Sequence, residues 1–152
     1  MAVGFSPWGL AIAVAVLAPS LLLLVLPPRP PLPSVRVSPV LPVLERGGQA
    51  ACLVIPVIVL PAPLTWAWAV PMAVFLAAYL GLWGRYVRRR DPGTLYRRWG
   101  PVPVPMAVLP VAVFATAGAW LGVIWLVLAA GVLAAGHIPT SLAVARALRT
   151  DT

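Results

Sequence analysis

The chain has 152 residues, 62% of them hydrophobic and 9% charged, and carries a net charge of +8 at pH 7. Soluble domains run at about 45–50% apolar and about 25% charged residues, so this composition excludes a water-soluble monomer and matches a lipid-facing surface. All eleven basic residues are Arg, but apolar runs of membrane length separate them, which argues for anionic lipid headgroups and against nucleic acid as their counterpart.

A transmembrane helix needs about 20 apolar residues, within a range near 17–25. The first such run is 8–26. The residues before it lack the basic cluster of a cleavable signal, so the run is expected to persist as a span. Trp8 suits a membrane interface. Pro19 and Ser20 fall inside the run and are expected to kink it. The connection 27–38 opens with PPRPPLP, five prolines in seven residues, which predicts a stiff polyproline II linker.

The second span is expected at 40–60, started by Ser38-Pro39, with Ser38 as cap. It contains Cys52, the single cysteine, read as a small buried hydrophobe. Pro61 and Pro63 make a turn. The third span, 65–84, has Trp66 and Trp68 at one end and Tyr79 and Trp83 towards the other, read as aromatic belts at both interfaces. Residues 85–100 form the one clearly polar stretch, with Arg85, Arg88, Arg89, Arg90, Arg97 and Arg98. Asp91-Pro92-Gly93 marks a turn, and Asp91 is expected to pair with an arginine.

The apolar run 102–136 would be about 52 Å long as one helix at about 1.5 Å per residue, far beyond a hydrocarbon core of about 30 Å. It is therefore divided near Thr116-Ala117-Gly118 into spans 103–117 and 119–138. A short tail helix, 141–148, follows Pro139. The expected fold is an all-α polytopic bundle of about five spans in one domain. Cytoplasmic loops carry the excess of basic residues. This puts the arginine loop, the proline-rich loop and the C-terminus in the cytoplasm and the N-terminus outside, in the plasma membrane.

Ionisable groups inside a span are costly, about 2.5–3.5 kcal/mol at the centre and less near an interface. Glu45, Arg46, Gln49 and His137 are therefore the candidate polar site. Glu45 and Gln49 share a helix face at i, i+4, while Arg46 points elsewhere. His137 is expected at the depth of Glu45, so that the two can meet. Gly47 and Gly48 permit a close neighbour. Gly118 and Gly122 form a small-xxx-small packing motif, and Gly131 and Ala135 repeat the spacing. One His, one Cys and one intramembrane carboxylate do not make a metal ligand set, and no cofactor fingerprint occurs.

Pro27-Pro28, Glu45-Arg46-Gly47-Gly48-Gln49, Pro105-Met106-Ala107 and Gly136-His137-Ile138-Pro139 give a layout that resembles small multi-span membrane proteins of bacteria with no assigned activity. The resemblance implies a compact helical membrane fold and supplies no chemistry.

Ser20 and Ser141 lack an evident base. The sequence therefore predicts a non-enzymatic accessory or partner-binding subunit, joined to another membrane protein or a second copy. A small transporter or permease-like protein, gated by Glu45, Gln49 and His137, is the alternative. A membrane enzyme acting on lipid headgroups comes third.

Overall fold

The structure, a computed structural model, describes residues 2–150, the Thr150 side chain excepted. The described residues are helical and contain no strand. The helices are α1 (Pro7–Ser20), α2 (Leu22–Val25), α3 (Val40–Ile58), α4 (Ala69–Arg89), α5 (Pro92–Tyr96), α6 (Pro105–Leu121) and α7 (Ile124–Thr150), with a 3-10 turn, Trp66–Trp68, leading into α4. Four segments are long and apolar enough to cross a membrane: Pro7–Val25, Val40–Ile58, Trp66–Arg89 and Ile124–Arg149. The fifth apolar helix, α6, has 17 residues, about 25 Å at about 1.5 Å per residue.

Local chemistry sets the helix ends. The Ser6 hydroxyl accepts from Gly9 N–H at 3.1 Å, and Pro7 occupies the first turn of α1. Pro19 cannot continue the ladder. α1 stops one residue later, and Leu21 joins it to α2, so the expected kink is a break. At α3, Ser38 contributes its backbone carbonyl to Leu41 N–H; no side-chain cap forms. α4 runs on to Arg89 and stops at Arg90, which is left-handed with φ 51°. The Asp91 carboxylate accepts from Gly93 N–H and Thr94 O–H, capping α5. Asp91 thus serves a helix start, where a negative charge is favoured, in place of the expected arginine pair.

Two features of the last hairpin differ from the sequence-based expectation. The break lies at Gly122, with φ 65°, one helical turn past Gly118. Thr116 remains helical because its hydroxyl bonds back to the Ala112 and Val113 carbonyls. Pro139 does not end α7, which continues to Thr150; its ring is on the exposed side of the helix, and membrane-type helices tolerate proline where neighbours hold the turn. The separate tail helix is therefore the end of α7.

The five long helices form a ring. α1 packs on α3, α3 on α7, α7 on α6, and α6 on α4. α4 closes the ring against α1, where the Tyr79 hydroxyl donates to the Val16 carbonyl at 3.1 Å and the Tyr86 hydroxyl to the Leu26 carbonyl. Tyr79, Trp83 and Tyr86 stack edge to face along the inside of α4, and all three are buried. Tyr79 and Trp83 therefore belong to the interior, correcting their assignment to an interfacial belt. The outer surface is apolar: Leu24, Val43, Val70 and Ile124 are each more than half exposed.

Every arginine lies at one end of this ring. The end of α1–α2 meets the end of α4 through Leu26 and Tyr86. Arg29 N–H donates to the Arg90 carbonyl. The first turns of α3 meet the middle of α7 through Glu45 and His137, and the second half of α7 runs on past them towards Arg146 and Arg149. The start of α6 meets the tail of α7 in a small cluster of Val104, Ala107 and Ala145. The opposite end carries Trp8 and Trp66, both stacked on Trp120 with centroids 5.5 and 5.6 Å apart.

Candidate functional site

The polar residues singled out in the sequence converge where α3 crosses α7. Two glycines allow this crossing. A Cβ on Gly48 would collide with the backbone of Leu133, and one on Gly136 with the Glu45 nitrogen and the Leu41 carbonyl. Backbone thus meets backbone on both sides of the contact. His137, next to Gly136, is thereby carried to Glu45, and its Nδ1 stands 2.7 Å from Glu45 Oε1. A carboxylate accepts at this distance only when the facing ring nitrogen is the protonated one, so the tautomer of His137 sets the contact. The side chains are 30% and 26% exposed, respectively.

The neighbouring residues divide. Gln49 is exposed, one turn along from Glu45, and borders the same cavity as His137. Arg46 is exposed. The Thr140 hydroxyl donates to the Gly136 carbonyl at 2.8 Å. Tyr96, at the end of α5, is half-buried; burial pushes its phenol above the ordinary range, and the Glu45 carboxylate adds to the effect. α5, within the arginine-rich segment, packs against α7.

The helices surround a cavity of about 160 Å³ in the half of the ring nearer the arginines. Its wall is mainly aliphatic and aromatic, with Leu53, Phe114 and Leu133 among its members. His137, Gln49, Ser141, Tyr96 and Trp83 are among its polar members, with Ser20 and Tyr79. Ser141 is one turn after His137 and is buried. No hydrogen bond joins the Ser141 and His137 side chains among the described residues.

Trp83, Tyr96 and Ser141 were not among the residues selected by sequence. The i, i+4 spacing of His137 and Ser141 was available as a signal for one of them. Trp83 and Tyr96 reach the cavity only through the tertiary arrangement of α4 and α5.

The arginine set is displayed outward. Arg85, Arg88, Arg89, Arg97 and Arg98 are exposed, and Arg90 is partly covered. The packing glycines separate into different roles. Gly118 lies against Val127 and the Val123 carbonyl, at the close approach of α6 and α7. Gly122 makes the turn between them, and a Cβ there would meet that of Ala62 at 2.7 Å; it is a hinge residue, not part of a helix–helix stripe. Gly131 meets nothing within 4 Å. Gly47 is likewise open, leaving Gly48 as the close-approach residue of that pair. Among the described residues no three His, Cys, Asp or Glu side chains gather in one place. No protein-family model, curated protein or solved structure matches the chain.

Proposed function

We propose that the chain is a non-enzymatic, multi-pass plasma-membrane protein that docks a partner at its cytoplasmic face. The observation that carries this reading is the collection of the arginines at one end of the helix ring, with Arg85, Arg88, Arg89, Arg97 and Arg98 exposed. The acidic groups nearby are engaged elsewhere, Glu45 with His137 and Asp91 with the start of α5. The basic end therefore faces outward, towards anionic headgroups and an acidic surface on a partner. Its excess of Arg orients it to the cytoplasm, with five spans, the N-terminus outside and the C-terminus inside. The stiff proline-rich connection is a second element presented on that face.

Affinity capture in mild detergent tests the reading. A stoichiometric membrane protein partner is expected, lost at high salt and lost when Arg88, Arg89, Arg97 and Arg98 are replaced by Gln. Recovery of the bare chain, or a partner indifferent to those four substitutions, contradicts it.

A transporter reading has one specific observation in its favour: the Glu45–His137 pair lies beside a cavity that His137 helps to line. Under that reading, purified protein in liposomes moves a solute, and Glu45→Gln abolishes movement while leaving the fold intact.

A further inference from the structure

At the arginine end, the stretch after α1 is stapled to the end of α4 at two points. The Tyr86 hydroxyl donates to the Leu26 carbonyl, and Arg29 N–H donates to the Arg90 carbonyl at 2.9 Å. The second contact sets two arginines from distant parts of the chain side by side. Arg29 is exposed and Arg90 half-covered. No ion pair joins either of them to a carboxylate among the described residues. The adjacent acid, Asp91, already caps α5 through Gly93 and Thr94.

Arg90 also holds a disfavoured backbone. It is the C-cap of α4, and its φ of 51° is left-handed. Glycine is the usual residue where a helix ends in this way, because a Cβ is strained there. Arg88 and Arg89 already place positive charge on the last turn of α4, where the helix dipole favours it. Neither the turn nor the dipole therefore accounts for an arginine side chain at 90. On the other side of the junction, Leu24 and Val25 are 81% and 76% exposed. They close the apolar stretch Pro7–Val25, which is of membrane length, so acyl chains reach to within a few residues of Arg29.

We propose that Arg29 and Arg90 together bind the phosphate of one anionic phospholipid, whose acyl chains lie against Leu24 and Val25. Guanidinium groups hold phosphate through paired, charge-assisted hydrogen bonds. Two of them without a carboxylate partner favour a headgroup that brings negative charge alone. A zwitterionic headgroup adds an ammonium, and with Asp91 engaged at α5 the junction offers it no acid. The bound lipid ties the proline-rich connection to the end of α4, beside the two protein hydrogen bonds. The inference rests on the part of the docking reading that puts the arginine end at the headgroups, and not on a protein partner. It assigns Arg29 and Arg90 to lipid and leaves Arg88, Arg89, Arg97 and Arg98 for that partner.

The test uses the full chain in neutral detergent micelles, with native mass spectrometry to count the lipids retained. One phosphatidylglycerol per chain is expected, held roughly tenfold more tightly than phosphatidylethanolamine or phosphatidylcholine, the worth of about one hydrogen bond to a charged group. Arg90→Gly should lose that preference while folding at least as well, since glycine suits the left-handed backbone. Arg29→Gln should lose it too. Replacing Arg88, Arg89, Arg97 and Arg98 together by Gln, which disables partner docking, should leave the preference intact, so the two readings fail separately. Inorganic phosphate should not displace the lipid, because it lacks the acyl chains; displacement at equal concentration would overturn the assignment to lipid. Equal retention of phosphatidylglycerol and phosphatidylethanolamine by the wild-type chain would overturn the proposal. So would a preference that survives in Arg90→Gly and is lost in the fourfold variant. The wild-type comparison needs no variant, so misfolding cannot obscure it.

Discussion

His137 Nδ1 and Glu45 Oε1 stand 2.7 Å apart, although 92 positions separate the residues in the chain. Gly136 is what makes the distance short, because its missing side chain lets the backbone of α7 lie directly on Leu41 and Glu45. The polar contact is thus a consequence of close helix packing, and substituting Glu45 or His137 perturbs it without touching the glycines.

Gly136→Ala and Gly48→Ala should both destabilise the fold. Ala is the better helix former by about 1 kcal/mol, but the added methyl meets backbone atoms that cannot rotate away. A net loss of about 1–3 kcal/mol is expected from overpacking. Gly131→Ala supplies the contrast, since nothing lies within 4 Å of that position; it should be neutral or stabilising. Reversible unfolding in mixed micelles reads all three.

Removing either member of the polar pair should cost stability, and removing both should cost less than the sum. For Glu45→Gln, His137→Gln and the double variant, a coupling of about 1 kcal/mol is expected, in the range found for polar contacts between membrane helices. The partial exposure of both side chains keeps the figure modest. Strict additivity would show that the two groups do not support each other.

Cys52 should resist thiol reagents in the folded protein. It is fully buried on α3, and reaction requires the exposed thiolate. Modification by a small maleimide should follow unfolding and report it. Rapid labelling of the native chain would contradict the packing of α3 within the ring.

Tyr96 should titrate above the ordinary tyrosine range, because burial and then the Glu45 carboxylate disfavour its phenolate. Glu45→Gln should lower that value, since a negative neighbour is removed. The folded-state value is the higher one, so the unfolded chain loses its proton first, and the Tyr96 contribution to stability declines as pH rises through about 10. Ultraviolet phenolate absorbance of wild type, Tyr96→Phe and Glu45→Gln measures the shift.

Composition and proline placement made the helical membrane character legible, because runs of about 20 apolar residues have few other solutions. Helix direction and depth allowed Glu45 and His137 to meet without requiring it; the contact depends on the close approach at Gly136, which the sequence did not single out. Boundaries were harder. Gly118 and Gly122 look alike in sequence, yet only Gly122 takes the left-handed backbone that turns the chain, while Gly118 is needed for contact with Val127. Pro139 looked like a stop, but a long apolar helix already held in place by α3 and α6 runs through it. Asp91 stood among arginines, and the short-range cap of α5 outcompeted them. The cavity could not be read from the chain, because seven separate segments contribute to its wall.

The most direct test of the account is the sidedness of the arginine end. In a Cys52→Ala background, Ser34→Cys, Thr94→Cys, Arg149→Cys and Thr65→Cys are labelled one at a time with a membrane-impermeant maleimide. The account predicts that the first three react only in inside-out vesicles and Thr65→Cys only in right-side-out vesicles. Labelling of Thr94→Cys and Arg149→Cys from opposite faces, or of Thr65→Cys from the same face as Thr94→Cys, would contradict it.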